Sequence, residues 1–249
     1  MQEKIKSAID NYLKNKHYSR LNLKTAMFDM DGVLYDSMKY HSVCWQKAMK
    51  HFGMHMTAEE VYQNEGRTGF STVNIVSKRQ RGYETTEEEV ATIYKYKSDL
   101  FNQCPKAEAM PGAKDILTKV KHSGIQPMVI TGSGQHTLLD RLNADYPNIF
   151  KDNLIVTAFD VKLGKPNPEP YLMGMKKAGD ITPEQSFVVE NAPLGVKAGV
   201  AAGCFTIAVN TGPLKDSELY DSGADIVFDS MSQLADNWEL ILSELEKTH

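Results

Sequence analysis

Short apolar segments alternate with helical segments from residue 113 to residue 245, and this alternation restricts the possible folds most. The segments typical of buried strands are 127–131, 154–158, 187–190, 205–209 and 226–228. The segments with helical spacing are 113–122, 136–142, 170–178, 194–202 and 231–245. Because strands and helices that alternate are joined by right-handed crossovers, they form a parallel sheet with helices on both faces. The sequence therefore predicts an α/β protein with a doubly wound parallel sheet.

The first strand of this sheet is expected much earlier, at 24–29, after an amphipathic helix over 2–16. Between residues 37 and 105 helical patterns follow one another without a convincing strand, and they lie at 41–52, 58–65, 71–79 and 86–102. We therefore expect a helical domain, residues 37–108, inserted into a core of residues 1–36 and 109–249. Residues 1–20 form an amino-terminal helical extension of that core.

Composition excludes several classes of protein. The 249 residues carry a net charge of −4, and the basic residues are scattered, which does not favour a nucleic-acid binder. Cys44, Cys104 and Cys204 are widely spaced and match no metal-binding pattern, so reduced thiols in a cytoplasm are expected. The amino terminus has no signal-peptide core, and no apolar stretch is long enough to span a bilayer. A soluble, monomeric cytoplasmic protein is predicted.

Two aspartates follow the first strand. Asp29 and Asp31 would lie on the same side of a strand, and a turn at Gly32 would bring both to its carboxyl end, where open parallel sheets bind ligands. One carboxylate can bind a hard cation and attack phosphorus, while the other transfers protons. A solvated turn is the alternative for so short a motif. An EF-hand loop is excluded, because glycine stands at the fourth position instead of the sixth.

Three later segments carry related chemistry. Thr131, Gly132 and Ser133 place hydroxyls and backbone amides at a strand end, where phosphate oxygens can bind. Lys165 lies in a loop stiffened by three prolines, and its ammonium can neutralise a phosphate and a nucleophile together. Glu190 and Asn191 end a further strand with oxygen donors of the kind Mg²⁺ uses. The alternatives are a capping threonine, a solvated loop lysine and a helix cap by the asparagine.

Together the four segments resemble the haloacid dehalogenase superfamily in motif order and spacing. The resemblance implies a Rossmann-like core in which Asp29 is the nucleophile that forms an aspartyl-phosphate and Asp31 is the general acid/base. It further implies that Thr131 and Lys165 hold the phosphate, and that Mg²⁺ binds Asp29, the backbone carbonyl of Asp31 and the pair after the fourth strand. The inserted helices would be that superfamily's mobile cap. The aspartate at position 31 favours a phosphatase or mutase over a dehalogenase.

The cap and the fourth motif look like the β-phosphoglucomutase group, with three departures. Asn191 replaces a usual aspartate, Glu65 falls where the mutase has lysine, and Gly69 falls where it has the arginine that grips the far phosphate. We hypothesise that Glu65 reaches the magnesium and closes the cap over a small substrate; a solvated glutamate is the alternative. His41 and Lys97 do match mutase cap positions.

The combination of Glu65, Gly69 and Asn191 resembles a branch of this group that hydrolyses inorganic pyrophosphate. Arg67, Lys97 and Lys165 would then surround the second phosphoryl unit. The sequence therefore predicts Mg²⁺-dependent hydrolysis of pyrophosphate. A β-phosphoglucomutase or a small sugar-phosphate phosphatase is the alternative, and a binding module on a decayed hydrolase fold is the non-enzymatic one.

Overall fold

The structure is a computed structural model that describes residues 1–132, 138–151 and 153–247. Its centre is a six-stranded sheet with the strand order β3-β2-β1-β4-β5-β6, and every paired neighbour is parallel. The strands are β1 Thr25–Phe28, β2 Gln126–Ile130, β3 Ile155–Val156, β4 Ser186–Glu190, β5 Phe205–Val209 and β6 Ile226–Phe228. This is the order of a doubly wound dinucleotide-binding sheet, so the predicted fold class is confirmed.

The helices of the described chain surround this sheet or lie between β1 and β2. They are α1 Gln2–Lys16, α2 Met38–His51, α3 Ala58–Gln63, α4 Gly69–Arg81, α5 Glu87–Asn102, α6 Ala113–His122, α7 Leu138–Asp145, α8 Glu169–Lys177, α9 Pro193–Ala201, α10 Asp216–Asp221, α11 Met231–Asp236 and α12 Trp238–Lys247. In the part of the chain described, every helix is too short or too polar to cross a membrane. The cytoplasmic location and the monomeric state stay predictions.

Both faces of the sheet are buried, because successive strand side chains point to opposite sides. On one face Phe28 and Phe187 pack with Ile9 of α1 and Trp238 of α12. On the other face the neighbouring residues of the same strands, among them Met27 and Val188, pack with residues of α8 and α9. Because both faces are covered, the strands are continuous apolar runs in the sequence. Each large apolar side chain that is fully buried contributes about 1.5–3 kcal/mol to stability.

The four helices α2 to α5 form a separate apolar cluster that includes Met49, Val73 and Ile93. Threonines cap three of these helices, since the side chains of Thr57, Thr68 and Thr86 accept hydrogen bonds from backbone N–H groups of the first turn. We call residues 38–102 the helical insert. Its own core agrees with an inserted domain, and the division of the chain into two domains stays a prediction.

Several predicted elements need correction. The predicted closing helix, 231–245, is two helices, because the chain turns at Asn237, whose amide side chain donates to the Gln233 carbonyl at 2.8 Å. This turn lets the next residue, Trp238, be completely buried against Phe187. Helix α10 and a short 3-10 helix at Pro183–Gln185 were not predicted. The predicted strand 154–158 is only two residues long. The first two residues of the predicted helix 136–142 lie outside the described residues.

Candidate active site

Three of the predicted site residues converge at the carboxyl ends of three adjacent strands. Asp29 follows β1, Thr131 follows β2, and Glu190 is the last residue of β4. The backbone N–H of Asp29 donates to Val189 at 3.0 Å, so the residue is held by the edge of the sheet itself. The strand order reverses at this point, since β1 lies between β2 and β4, and such switch points are where doubly wound sheets bind ligands.

Lys165 lies at the centre of this site and is almost completely buried. Its ammonium donates to Asp29 Oδ1, to Glu190 Oε1 at 2.6 Å and to the Ile130 carbonyl at 3.2 Å. Burial lowers the pKa of Lys165, but the two carboxylates outweigh this effect and hold it above its usual value. The lysine is therefore cationic, and all three of its hydrogens have acceptors.

The helical insert brings a third carboxylate to the same place. Glu65 follows α3, and its Oε2 accepts a hydrogen bond from Asn191 Nδ2 at 3.0 Å. The loop can approach the core this closely because Gly66 adopts a positive φ of 83°, and a Cβ there would lie 2.9 Å from the Lys165 side chain. The contact between Glu65 and Asn191 joins the insert to the core.

The site carries an excess of negative charge. Burial, Glu190 and Asp31 raise the pKa of Asp29 to about 8, although Lys165 lowers it. Burial and the neighbouring carboxylates, above all that of Asp29, raise the pKa of Glu65 well above its usual value. When Asp29, Glu65 and Glu190 are all ionised, one ammonium leaves two negative charges uncompensated. A divalent cation would cancel them.

The oxygen donors of the site fit a hard divalent cation. Glu65 Oε1 and Asn191 Oδ1 are both buried and have no hydrogen-bond partner, which is costly unless another group binds them. Carboxylate and amide oxygens are the ligands that Mg²⁺ prefers. Within the described residues no three acidic, histidine or cysteine side chains are already arranged around a common point. The reason is that Asp29 and Glu190 face Lys165 and that one of the donors is an amide.

Asp31 lies beside this centre and contacts two side chains, those of Ser37 and His41. Its Oδ1 accepts from Ser37 Oγ at 2.5 Å and lies 3.4 Å from His41 Nε2. Lys97 Nζ lies 2.8 Å from His41 Nδ1, so the lysine can donate to one ring nitrogen while the other carries its hydrogen toward Asp31. The result is a chain of polar contacts from α5 through α2 to Asp31.

These contacts set the charge states of the chain. Burial opposes ionisation of Asp31, but His41, the Ser37 hydroxyl and Lys97 outweigh it and hold the pKa at about 2. Burial lowers the pKa of Lys97 to about 8 and also lowers that of His41, where Asp31 opposes the effect. Asp31 is consequently ionised at neutral pH and oriented before a substrate arrives.

The helical insert covers a cavity of about 100 Å³ over Asp29 and Asp31. Arg67 lines it and donates from Nε to Asn64 Oδ1 at 2.9 Å and from a terminal nitrogen to Ser71 Oγ at 3.2 Å. Both of these partners are neutral, so neither of them offsets the positive charge that the guanidinium brings to the cavity. The other lining residues predicted from the sequence are His41, Glu65, Lys97, Thr131 and Gly132. Ser133 lies outside the described residues.

Position 69 differs from a mutase for a steric reason that the sequence did not reveal. A Cβ on Gly69 would lie 2.2 Å from the ring of Tyr94, so no side chain fits there without moving that ring. Tyr94 itself lines the cavity and lies 6.1 Å from Trp45, measured between ring centroids. An aromatic ring of α5 therefore takes the space expected for an arginine side chain.

Sequence reasoning missed three residues of this site. Ser37 stands before α2, where a serine is also an ordinary helix cap, so its contact with Asp31 gave no separate signal. Tyr94 and Tyr171 lie within helices at positions that predict packing only. For Ser37, the one signal in the sequence was a hydroxyl six residues after Asp31.

Comparison with known proteins decides the family. The model of the haloacid dehalogenase-like hydrolase family matches residues 26–209. The chain belongs to this family. Hexitol phosphatase A of Escherichia coli (strain K12) is 31% identical over 86% of this chain and 94% of its own length. The 2-deoxyglucose-6-phosphate phosphatase 2 of Saccharomyces cerevisiae is 25% identical over 87% of this chain and 91% of its own length.

A solved structure is more similar still. A protein from Bacteroides vulgatus, described as a candidate β-phosphoglucomutase, is 57% identical, has a TM-score of 0.95 and covers 99% of this chain and 100% of its own. The protein is thus a haloacid dehalogenase-type hydrolase of the β-phosphoglucomutase-like group. The comparisons do not support the predicted pyrophosphatase branch, because the enzymes named above are hexitol and deoxyglucose phosphatases and a candidate mutase.

Proposed function

We propose that this protein is a Mg²⁺-dependent phosphatase of small phosphorylated sugars or polyols, which acts through an aspartyl-phosphate on Asp29. The observation that carries the proposal is the convergence of Asp29, Asp31, Lys165 and Glu190 at the switch point of the sheet, beneath the helical insert. The named activities of the two phosphatase relatives support the substrate class. These activities favour the alternative that the sequence offered over its main prediction, pyrophosphate hydrolysis.

Asp29 would attack phosphorus in line with the bond to the leaving oxygen, so that an aspartyl-phosphate forms as that bond breaks. Asp31 gives a proton to the leaving oxygen and then takes one from the water that hydrolyses the intermediate. The charge of a bound phosphoryl group opposes ionisation of Asp31, which raises its pKa from about 2 toward the range that a proton donor needs. Catalysis then depends mainly on position and on neutralised charge.

Lys165 and Thr131 would hold the phosphoryl oxygens, and Arg67 and Lys97 would bind the rest of the substrate. The metal would be held by Asp29, Glu65, Glu190 and Asn191 together with the backbone carbonyl of Asp31. Bound Mg²⁺ would neutralise the nucleophile and the phosphoryl oxygens during transfer.

Inorganic pyrophosphate is a second candidate because Glu65, which reaches Asn191, lines a small cavity. The volume of about 100 Å³ is well below the roughly 300–1,000 Å³ of sites that hold drug-sized ligands. Tyr94 leaves no space at position 69 for the side chain that would grip a distant phosphate. In this state of the insert, a compact anion beside Arg67 would fit better than a hexose phosphate.

A substrate panel tests these proposals. Phosphate release should be measured with a hexitol phosphate, 2-deoxyglucose 6-phosphate, glycerol 1-phosphate, β-glucose 1-phosphate and pyrophosphate, each with Mg²⁺ and with a chelator. We expect the highest kcat/KM with a sugar or polyol phosphate. A kcat/KM at least tenfold higher for pyrophosphate would favour the second candidate. Conversion of β-glucose 1-phosphate to glucose 6-phosphate would indicate a mutase, and no turnover of any substrate would refute an enzymatic role.

A further inference from the structure

Tyr171 lies in the first turn of α8, is fully buried and contacts the active site. Its hydroxyl donates to Glu190 Oε1 at 2.6 Å, and its ring lies 5.4 Å from Lys165 Nζ, measured to the ring centroid. The carboxylate of Glu190 can only accept a hydrogen bond when it is ionised, so the phenol is the donor. A phenylalanine would pack equally well but could not make this bond.

The hydroxyl matters because Lys165 has no spare hydrogen. Its three N–H groups already have acceptors in Asp29, Glu190 and the carbonyl of Ile130. To donate to a phosphoryl oxygen, the lysine has to release one of them. If it releases Glu190, that buried carboxylate loses a charged partner, which is costly unless other donors remain.

Glu190 keeps two donors when Lys165 turns away. Tyr171 holds Oε1, and the backbone N–H of Asn191 holds Oε2 at 3.1 Å. The carboxylate cannot swing toward the following helix either, because it lies against Gly195, where a Cβ would be 2.0 Å from Glu190 Cδ. The carboxylate therefore keeps its place while the lysine changes partner.

We infer that Tyr171 is a positioning residue: its hydroxyl holds Glu190 in place so that Lys165 can pass from Glu190 to the phosphoryl group. The inference rests on the proposed function, since it requires a phosphoryl group at Asp29. Tyr171, on a helix that covers the sheet, would therefore affect both metal binding and turnover.

The test compares Tyr171→Phe with Tyr12→Phe in the full chain. Tyr12 is a matched control, because it is buried to a similar degree and its hydroxyl donates to the Gly203 carbonyl at 2.7 Å, outside the active site. Both variants lose one oxygen atom and keep the ring, so both should unfold within about 5 °C of the wild type. Binding of Mg²⁺ to the metal-free protein is measured by calorimetry, and kcat and KM are measured with the best substrate of the panel.

For Tyr171→Phe we expect Mg²⁺ binding about 10-fold weaker and kcat about 10- to 100-fold lower, as for other partners of metal ligands. For Tyr12→Phe both quantities should stay within twofold of the wild type. Twofold or smaller changes in Tyr171→Phe, or equal losses in both variants, would overturn the inference and leave the proposed function intact. A wild-type protein that turns over no phosphorylated substrate would overturn both.

Discussion

Replacing Glu65 by glutamine should weaken metal binding and at the same time stabilise the metal-free protein. The substitution keeps an oxygen that can accept from Asn191 Nδ2, and it removes one negative charge from the group formed by Asp29, Glu65, Glu190 and Lys165. The charge of this group then falls from −2 to −1 when its carboxylates are ionised. The two effects have opposite signs because the same repulsion that destabilises the empty site attracts the cation.

The expected sizes follow from these charges. Loss of a charged metal ligand should raise the Mg²⁺ concentration at half-saturation about 10- to 100-fold, which corresponds to roughly 1.4–2.8 kcal/mol. Burial and the carboxylate of Asp29 raise the pKa of Glu65, so its ionised form is disfavoured in the folded metal-free state. Its removal should therefore stabilise that state at pH 8 by about 1 kcal/mol, or about 2–4 °C in Tm for a chain of this size.

Both quantities can be measured on the same samples. Thermal unfolding in a chelator reports the stability of the metal-free protein, and a Mg²⁺ titration of phosphate release reports the half-saturation. Glu59→Gln is the matched control, because Glu59 lies on α3, the helix that precedes Glu65, and is exposed. A Mg²⁺ midpoint that moves less than threefold in Glu65→Gln, together with an unchanged or lower Tm, would refute the role of Glu65.

Three further outcomes test other parts of the structure. Asp29→Asn should lower kcat by roughly 10³-fold or more while circular dichroism shows a folded protein; substantial activity would contradict the assignment of the nucleophile. Gly195→Ala should cost about 1–3 kcal/mol of stability and weaken Mg²⁺ binding, because its Cβ would lie 2.0 Å from Glu190 Cδ; a normal Tm and a normal Mg²⁺ titration would show that the helix moves aside. Burial raises the pKa of Asp225 from 3.8 to about 6, so the folded protein loses stability as pH rises from about 4 to about 6. Asp225→Asn should therefore gain about 1–2 kcal/mol at pH 7.5 and nothing at pH 4 in urea unfolding, and a gain independent of pH would exclude this cause.

Much of the fold could be predicted because its rules are local. Short apolar runs of three to six residues predicted β1, β2, β4, β5 and β6, and helical spacing predicted α1 and α6 at the bounds that the structure has. The prediction was wrong where a long-range contact decides the local backbone. Residues 231–245 have continuous helical spacing, yet the chain turns at Asn237, and this turn lets Trp238 pack against Phe187 on one face of the sheet.

The candidate site divides in the same way. Asp29, Thr131 and Glu190 could be predicted because parallel strands bring their carboxyl ends to one edge, whereas Lys165 lies in a loop and was predicted from its prolines and from the family resemblance. The places of Ser37, Tyr94 and Tyr171 could not, since each depends on how a helix is rotated and packed against its neighbours. The close approach of the Tyr94 ring to Gly69 could not be predicted either, for the same reason.

The sequence alone therefore determined the fold class and the candidate site residues: a doubly wound sheet with two aspartates, a hydroxyl and an acid–amide pair after its strands, and a lysine in a proline-rich loop. Only the tertiary structure decided the charge state and the coverage of that site. It places Glu65 of the insert against Asn191 of the core, and it buries the carboxylates of Asp29 and Glu190 against one lysine. The reason is physical: periodicity along a chain specifies which face of an element is buried, whereas electrostatic energy depends on distances between elements far apart in the sequence.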